Sequence, residues 1–415
     1  MTTLTHRHTL LAGLGIGVLA LHVLDDSFLQ PQPGTSAGDH LAGGLVPLGL
    51  IALAVALYPR LRPGARGALA VVFGLLALIM GTAEAGYYTL KVGPSGDDYT
   101  GLLAIAAGFL LLGIAAFTLW TTRRLDDSRV RRYVRRSLLA VAALVVAAEV
   151  MFPIALGYGT THVLRPVVPA ANLGAAHEDV TFRTSDGLDL SGWYVPSRNG
   201  AAVIVFPGRS GPQKPARFLA RHGYGVLLFD RRGEGESDGD GNLFGWGGDK
   251  DILAAVDFLK SRPDVDPDRI GGMGLSVGAE LMLQTAAKSD ELAAIVSEGA
   301  GTRSFGEEME EFHGTEKWLG LPLLAFKTAS VAVFSSTAPP PKLPDLAPRL
   351  AEPAFFIYAP DGGVETMTPA YYRLAQGPKT IWGIPGVGHM GGFDARPKEY
   401  ERRVVSFFDG TLLGG

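Results

Sequence analysis

The sequence predicts two unlike parts: an α-helical transmembrane domain of about five spans, then an α/β domain built on a mostly parallel sheet. Three observations predict this. Long, almost uncharged apolar stretches occupy the first 160 residues. Beyond them, short apolar runs alternate with segments of helical period. The charge balance also changes sign, from 12 Lys+Arg against 9 Asp+Glu in residues 1–160 to 25 against 32 in the rest. Residues 1–160 are read as the membrane part, 161–177 as a linker, and 178–415 as the α/β domain, with 300–350 as a possible cap.

The apolar stretches are 9–24, 41–58, 67–90, 101–120 and 137–157. Each is near the roughly 20 residues that a helix needs to cross the hydrocarbon core. A basic start at Arg7 gives the first some character of a signal peptide. It lacks a clean small-residue cleavage site and four more stretches follow it, so it reads as an uncleaved span. Positive residues are retained on the cytoplasmic side. Loops 59–66 and 121–136, with Arg7, carry 11 basic residues, whereas loops 25–40 and 91–99 carry only Lys91. The amino terminus is therefore expected inside the plasma membrane, and after five crossings the α/β domain outside it. Glu84 and Glu149 fall within spans but lack the patterned partners of a proton relay.

In the second part, HEDVTFRTSDGLDLSGWYVPS (177–197) suits two strands around a Ser-Asp-Gly turn. AAVIVF (201–206) and GVLLFD read as buried central strands, and residues 249–262 as an amphipathic helix with acidic residues at its start. RIGGMGL leads into Ser276 and the helix VGAELMLQTAAK; LAAIVSEG, AFFIYAP and KTIWGIP are further strands, and 396–409 closes the chain as a helix. Residues 300–350 break the alternation. Their Trp318, Leu319, Leu321, Leu323 and Leu324 suit either a cap over an acyl pocket or the domain's own core.

Gly274-Leu275-Ser276-Val277-Gly278 is a G-x-S-x-G motif placed where a strand ends and a helix begins. At such an elbow a serine projects toward the carboxyl end of the sheet. A hydroxyl needs a base to become a nucleophile. Of nine histidines, only His313 and His389 follow Ser276, and His389 lies in a Gly-rich loop after the last strand. The third member is a carboxylate that holds the imidazole's tautomer. Glu365 is preferred, because turn chemistry already accounts for Asp361 before Gly-Gly; Glu298, beyond the preceding strand, is the other alternative. The two oxyanion donors expected are the amide of Val277 and that of Arg209 or Ser210 in FPGRSG.

Together, FPG at 206–208, GYGVLLFDRRGEGES at 223–237, GLSVG at 274–278, VETMTP at 364–369 and GVGH at 386–389 make residues 178–410 resemble the α/β-hydrolase superfamily. That resemblance implies an α/β-hydrolase fold, a Ser-His-acid triad, and Glu365 at the acid position, with Glu for the commoner Asp. Phe206 stands where the family often has His.

Other chemistries are excluded or weakly supported. There are no cysteines, so disulfides, thiolate metal sites and a Cys nucleophile are out. The acidic second part has no footprint for nucleic acid. DGDGN at 238–242 with Asp249 lacks the sixth-position Gly of a calcium loop, and HED at 177–179 lacks further metal-ligand spacing. No cofactor is expected. The reading is a membrane-anchored serine hydrolase, with the bilayer and a small-molecule or lipid ester as partners. A peptidase or acyltransferase with the same triad, and a non-catalytic scaffold or sensor, are the alternatives.

Overall fold

The computed structural model describes residues 2–121, 133–135, 137, 138, 141, 145 and 147–414. Most of the Arg-rich loop 121–136, and residues 139, 140, 142–144 and 146 of the apolar stretch 137–157, therefore lie outside the described residues. The chain divides into two units, Met1–Phe152 and Pro153–Gly415.

The first unit contains α1 (Thr2–Leu24), α2 (Leu41–Leu57), α3 (Pro63–Gly81) and α4 (Asp98–Thr121). The stretch expected as one span over 67–90 is interrupted. Its helix ends at Gly81, and a π turn, Thr82–Gly86, separates it from the short helix Tyr87–Lys91. The Thr82 hydroxyl donates back to the Leu78 carbonyl at this break, a bond that competes with regular helix. Helices α3 and α4 pack through glycines seven residues apart. A Cβ at Gly67 would fall 2.7 Å from Leu119, one at Gly74 3.1 Å from the Gly108 carbonyl, and one at Gly81 2.5 Å from the Gly101 carbonyl. Small residues let helix backbones approach this closely where water supplies no hydrophobic drive. Large apolar side chains such as Leu14, Leu50, Ile79, Phe109 and Trp120 point outward instead.

Among the described residues, five helical segments are long and apolar enough to cross a membrane: Arg7–Leu29, Leu41–Arg60, Pro63–Gly81, Asp98–Thr121 and Glu316–Ser335. The last of these belongs to the second unit, inside the segment expected as a cap.

The second unit is built on an eight-stranded sheet in the order β1-β2-β4-β3-β5-β6-β7-β8. The strands are β1 (Glu178–Arg183), β2 (Asp189–Val195), β3 (Ala202–Phe206), β4 (Gly225–Phe229), β5 (Ile270–Leu275), β6 (Ala294–Glu298), β7 (Ala354–Tyr358) and β8 (Lys379–Gly383). β1 and β2 pair antiparallel, β2 meets β4 antiparallel, and β4 through β8 run parallel. The parallel strands read as unbroken apolar runs because helices cover both faces. Period-two alternation divides their side chains between two cores. Ala202, Ile204, Phe206, Leu227 and Phe229 face one, whereas Val203, Val205, Val226 and Leu228 face the other.

The longer helices of this unit are α5 (Phe152–Thr161), α6 (Lys214–Arg221), α7 (Asp249–Lys260), α8 (Val277–Lys288), α9 (Phe305–Glu311), α10 (Glu316–Ser335), α11 (Thr368–Leu374) and α12 (Pro397–Leu412). The segment read as a linker is held to the domain. Arg165 donates to the Ser237 and Gly239 carbonyls, Gln213 accepts from the Asn172 amide at 2.6 Å, and Leu173 is buried. The 300–350 segment forms α9 and α10. Of its apolar cluster Leu324 is buried, but Trp318 and Leu319 are 77% and 67% exposed, so they do not fill the domain's core. α10 rests on α5, where a Cβ at Gly157 would come within 2.4 Å of Ser330 Cβ.

Candidate active site

Ser276 directly follows β5 and caps α8 with φ 53° and ψ −124°. A non-glycine residue held there costs on the order of 1–3 kcal/mol, and the surrounding structure must enforce it. The neighbouring glycines show how. A Cβ at Gly274 would lie 2.2 Å from the Gly278 carbonyl oxygen, and one at Gly278 would lie 2.7 Å from the Phe206 carbonyl oxygen. The elbow is thus wedged against β3. Ser276 N–H donates to the Glu298 carbonyl at 2.8 Å, which fixes its backbone from the β6 side.

Ser276 Oγ lies 2.8 Å from His389 Nε2, and His389 Nδ1 lies 2.6 Å from Glu365 Oε1. A carboxylate can only accept, so Nδ1 carries the proton and Nε2 is free to receive one from the serine. Glu365, in the loop after β7, is fully buried and accepts two backbone N–H bonds, from Ala359 at 2.5 Å and Met390 at 3.0 Å. Burial alone would raise its carboxyl, but the bonds from His389, Ala359 and Met390 outweigh it and hold the group below its ordinary range. The bond to Glu365 raises the imidazole of His389, against the opposing effect of its partial burial. Gly299, directly after β6, completes the wall. Its φ is +76°, and a Cβ there would meet His389 Cε1 at 3.0 Å and Glu365 Oε1 at 3.1 Å.

The other sequence candidates lie elsewhere. Asp361 accepts the Gly386 amide at 2.9 Å and is exposed. Glu298 is buried and accepts the Tyr400 hydroxyl; burial first, then the Glu365 charge, raises it to about 7. His313 is exposed and bonds the Glu311 carbonyl. Val277, as the first residue of α8, has an N–H with no intrahelical acceptor. The Arg209 expectation is corrected. Its amide donates to Asp230 Oδ1 at 3.0 Å, while its guanidinium holds Asp230 Oδ2 at 2.6 Å and Glu236 at 2.8 Å. A buried carboxylate at the end of β4 has taken the donor, which leaves Ser210 as the alternative. The calcium-like loop also finds other partners: Asp238 accepts the Asp189 amide and Asp249 pairs with Lys288.

One group escaped the sequence reading. Glu280 on α8 accepts the Gly301 amide at 3.1 Å, and Glu307 accepts from Ser304, from the Leu343 amide and from the Tyr371 hydroxyl. The S-x-x-E spacing of Ser304 and Glu307, which forms a capping box at α9, was the available signal.

The X-Pro dipeptidyl-peptidase (S15) family pattern matches residues 158–340, which include Ser276 but neither Glu365 nor His389. The uncharacterized protein MT2364 of Mycobacterium tuberculosis is 31% identical over 238 residues, covering 54% of this chain and 76% of that protein. The polyketide transferase grgF of a Penicillium species is 35% identical over 127 residues, 29% of this chain and 43% of that protein. Among solved structures, a Pyrococcus furiosus esterase superposes with a TM-score of 0.49 at 23% identity, over 61% of this chain and 100% of that one.

Proposed function

From a chain that belongs to the α/β-hydrolase superfamily, we propose a membrane-anchored serine hydrolase that cleaves an ester-type acyl bond outside the plasma membrane. The carrying observation is the unbroken chain Ser276–His389–Glu365, with the serine held at positive φ. Ser276 Oγ attacks the carbonyl carbon as its proton passes to His389 Nε2. Glu365 keeps the imidazole in the tautomer this requires and offsets its charge. The N–H groups of Val277 and Ser210 hold the oxyanion. Collapse expels the alcohol, which takes the proton from His389. A water deprotonated by the same nitrogen then releases the acid and restores the serine.

The sidedness rests on the 11-to-1 distribution of basic residues between alternate loops. The test is labelling of intact cells with a membrane-impermeant fluorophosphonate. Labelling lost in Ser276→Ala is the expected result. Labelling only after lysis overturns the orientation, and none at all overturns the enzyme and favours a ligand-binding scaffold. The S15 match and the likeness to a polyketide transferase each favour a second reading, a peptidase or acyltransferase with the same triad. Faster turnover of a peptide amide, or of an ester with an acceptor alcohol present, would select it.

A further inference from the structure

A surface helix in water turns charged and polar side chains outward, opposite its buried stripe. α10 does not. Gly320, Leu324, Lys327 and Val331 are buried, and spacings of four, three and four residues put them on one face. Trp318, Leu319, Leu321, Phe326 and Val333 are exposed on the remaining surface. Between Lys317 and Lys342 the sequence has a single charged residue, Lys327, which is buried and tied to Glu308. From Trp318 to Ser335, about 27 Å of helix, the outward side therefore carries no charge.

The setting of α10 identifies what this side meets. The helix packs on α5 at Gly157, where a Cβ would come within 3.1 Å of the Val331 amide nitrogen and 3.2 Å of the Lys327 carbonyl oxygen. Next to it the Tyr158 ring meets Phe334 edge-on at 5.2 Å. Gly157 is the last residue of the apolar stretch 137–157, the fifth expected span. A chain that leaves the hydrocarbon core at this point holds α10 at the level of the membrane–water boundary. The turn of α5 leading up to the contact also exposes apolar side chains, Ile154 and Leu156.

α10 is long enough to cross a bilayer, but its own domain holds it along its length. Phe312 packs against Gly320, Glu308 pairs with Lys327, and Gly157 abuts Val331. Beyond the helix, Lys342 pairs with Glu310 at 2.7 Å, which returns the chain to α9, where α10 set out. A helix fixed at its start, middle and end lies along the boundary and does not stand across it.

We propose that α10 and the exposed side of α5 are a membrane-docking surface, sunk into the boundary between headgroups and acyl chains. This rests on the membrane-anchored reading above and adds a second attachment, made by the α/β domain itself. Trp318, at the start of the helix beside Glu316 and Lys317, suits that boundary, where tryptophan is enriched. The segment leading into α10, residues 305–317, holds five Glu against one Lys, so docking depends on apolar burial and not on anionic headgroups.

The experiment exploits the absence of cysteine, which lets single cysteines report without background. The full chain carries Leu319→Cys, Phe326→Cys or Val333→Cys, is labelled with a nitroxide and is reconstituted in vesicles of phosphatidylcholine alone. Asp268→Cys, exposed in the turn before β5, is the aqueous reference. Phe109→Cys, on the exposed side of α4, reports on the spans. All five replace exposed side chains, so melting temperatures in detergent should stay within about 2 °C of wild type. Power-saturation spectra are recorded with oxygen, which concentrates in lipid, and with a nickel chelate, which stays in water.

The three α10 labels are expected to be accessible to oxygen and shielded from nickel, at one common depth of about 5–10 Å. The Asp268 label should show the reverse. α10 labels as open to nickel as that reference overturn the proposal. Shielding from both reagents overturns it in favour of a second copy of the chain covering the helix. Phe326 near the midplane, about 15 Å deep, with Leu319 and Val333 at opposite surfaces overturns it in favour of a span. The Phe109 label separates the two readings. Phe109 in lipid with α10 in water leaves the spans standing and sinks the docking; α10 in lipid with Phe109 in water does the opposite.

Discussion

The end of β6 and the loop beyond β7 each bury a glutamate whose charge acts on the same imidazole, and their fates differ. Glu365, after β7, receives three hydrogen bonds, one of them from His389, and is held as a carboxylate. Glu298, the last residue of β6, points to the Tyr400 hydroxyl and is raised to about 7. Its backbone carbonyl, not its side chain, serves the site by fixing Ser276. Two identical side chains at neighbouring strand ends thus differ because three donors outweigh burial at one, whereas a single hydroxyl does not at the other. Proximity to an imidazole does not make a carboxylate its partner; the direction of the hydrogen bonds does.

The largest effect expected from breaking this contrast is at Glu365. Glu365→Gln keeps the shape but removes the charge that selects the Nδ1–H tautomer. Its kcat/KM on a neutral p-nitrophenyl ester should fall about 10²- to 10⁴-fold. A fall under about tenfold would move the acid's role elsewhere.

Glu298→Gln should act on stability instead. A carboxyl raised by folding stabilises fully below its unfolded value, 4.5, and that contribution is lost as pH rises from there through about 7. Up to about 3 kcal/mol disappears over this window. Melting temperatures of Glu298→Gln and wild type, compared at pH 5 and pH 8, should show the variant gaining relative stability at the higher pH. Equal shifts at both pH values would contradict the assignment.

His389 sharpens the same comparison through the pH profile. Its bond to Glu365 favours the protonated imidazole, so kcat/KM should rise with pH through a midpoint above 6.5. In a residually active Glu365→Gln protein that midpoint should move down. Asp361→Asn, at the tip of the β7 loop, is the smallest expected effect, within about twofold in kcat/KM. Among the described residues its carboxylate accepts only the Gly386 amide.

The parts legible in the sequence were those written in local pattern. Buried parallel strands announce themselves as apolar runs, and the Gly274/Gly278 pair announces an elbow whose close contacts only glycine permits. The proximity of His389 to Ser276 followed from chain order, although 113 residues separate them. What stayed hidden depended on pairings across the fold. Nothing near Arg209 reveals that Asp230, beyond another strand, claims its amide. Arg303 looks like an ordinary loop cation until the fold closes over it without giving its nitrogens an acceptor among the described residues. Helix α10 misled differently. Its Pro322 and bordering charges disguised an apolar helix of 20 residues, and its composition suited a core that its exposed Trp318 and Leu319 do not enter.

That helix has a practical consequence for anyone who handles the protein. Removing the first four apolar helices by truncation would not yield a well-behaved aqueous enzyme. Trp318, Leu319, Leu321, Phe326 and Val333 would still present a greasy exposed face, of the kind that drives particles to cling together. Purification of any shortened form should therefore keep a surfactant throughout, and light scattering on its removal should register clumping that polar replacements along α10 relieve.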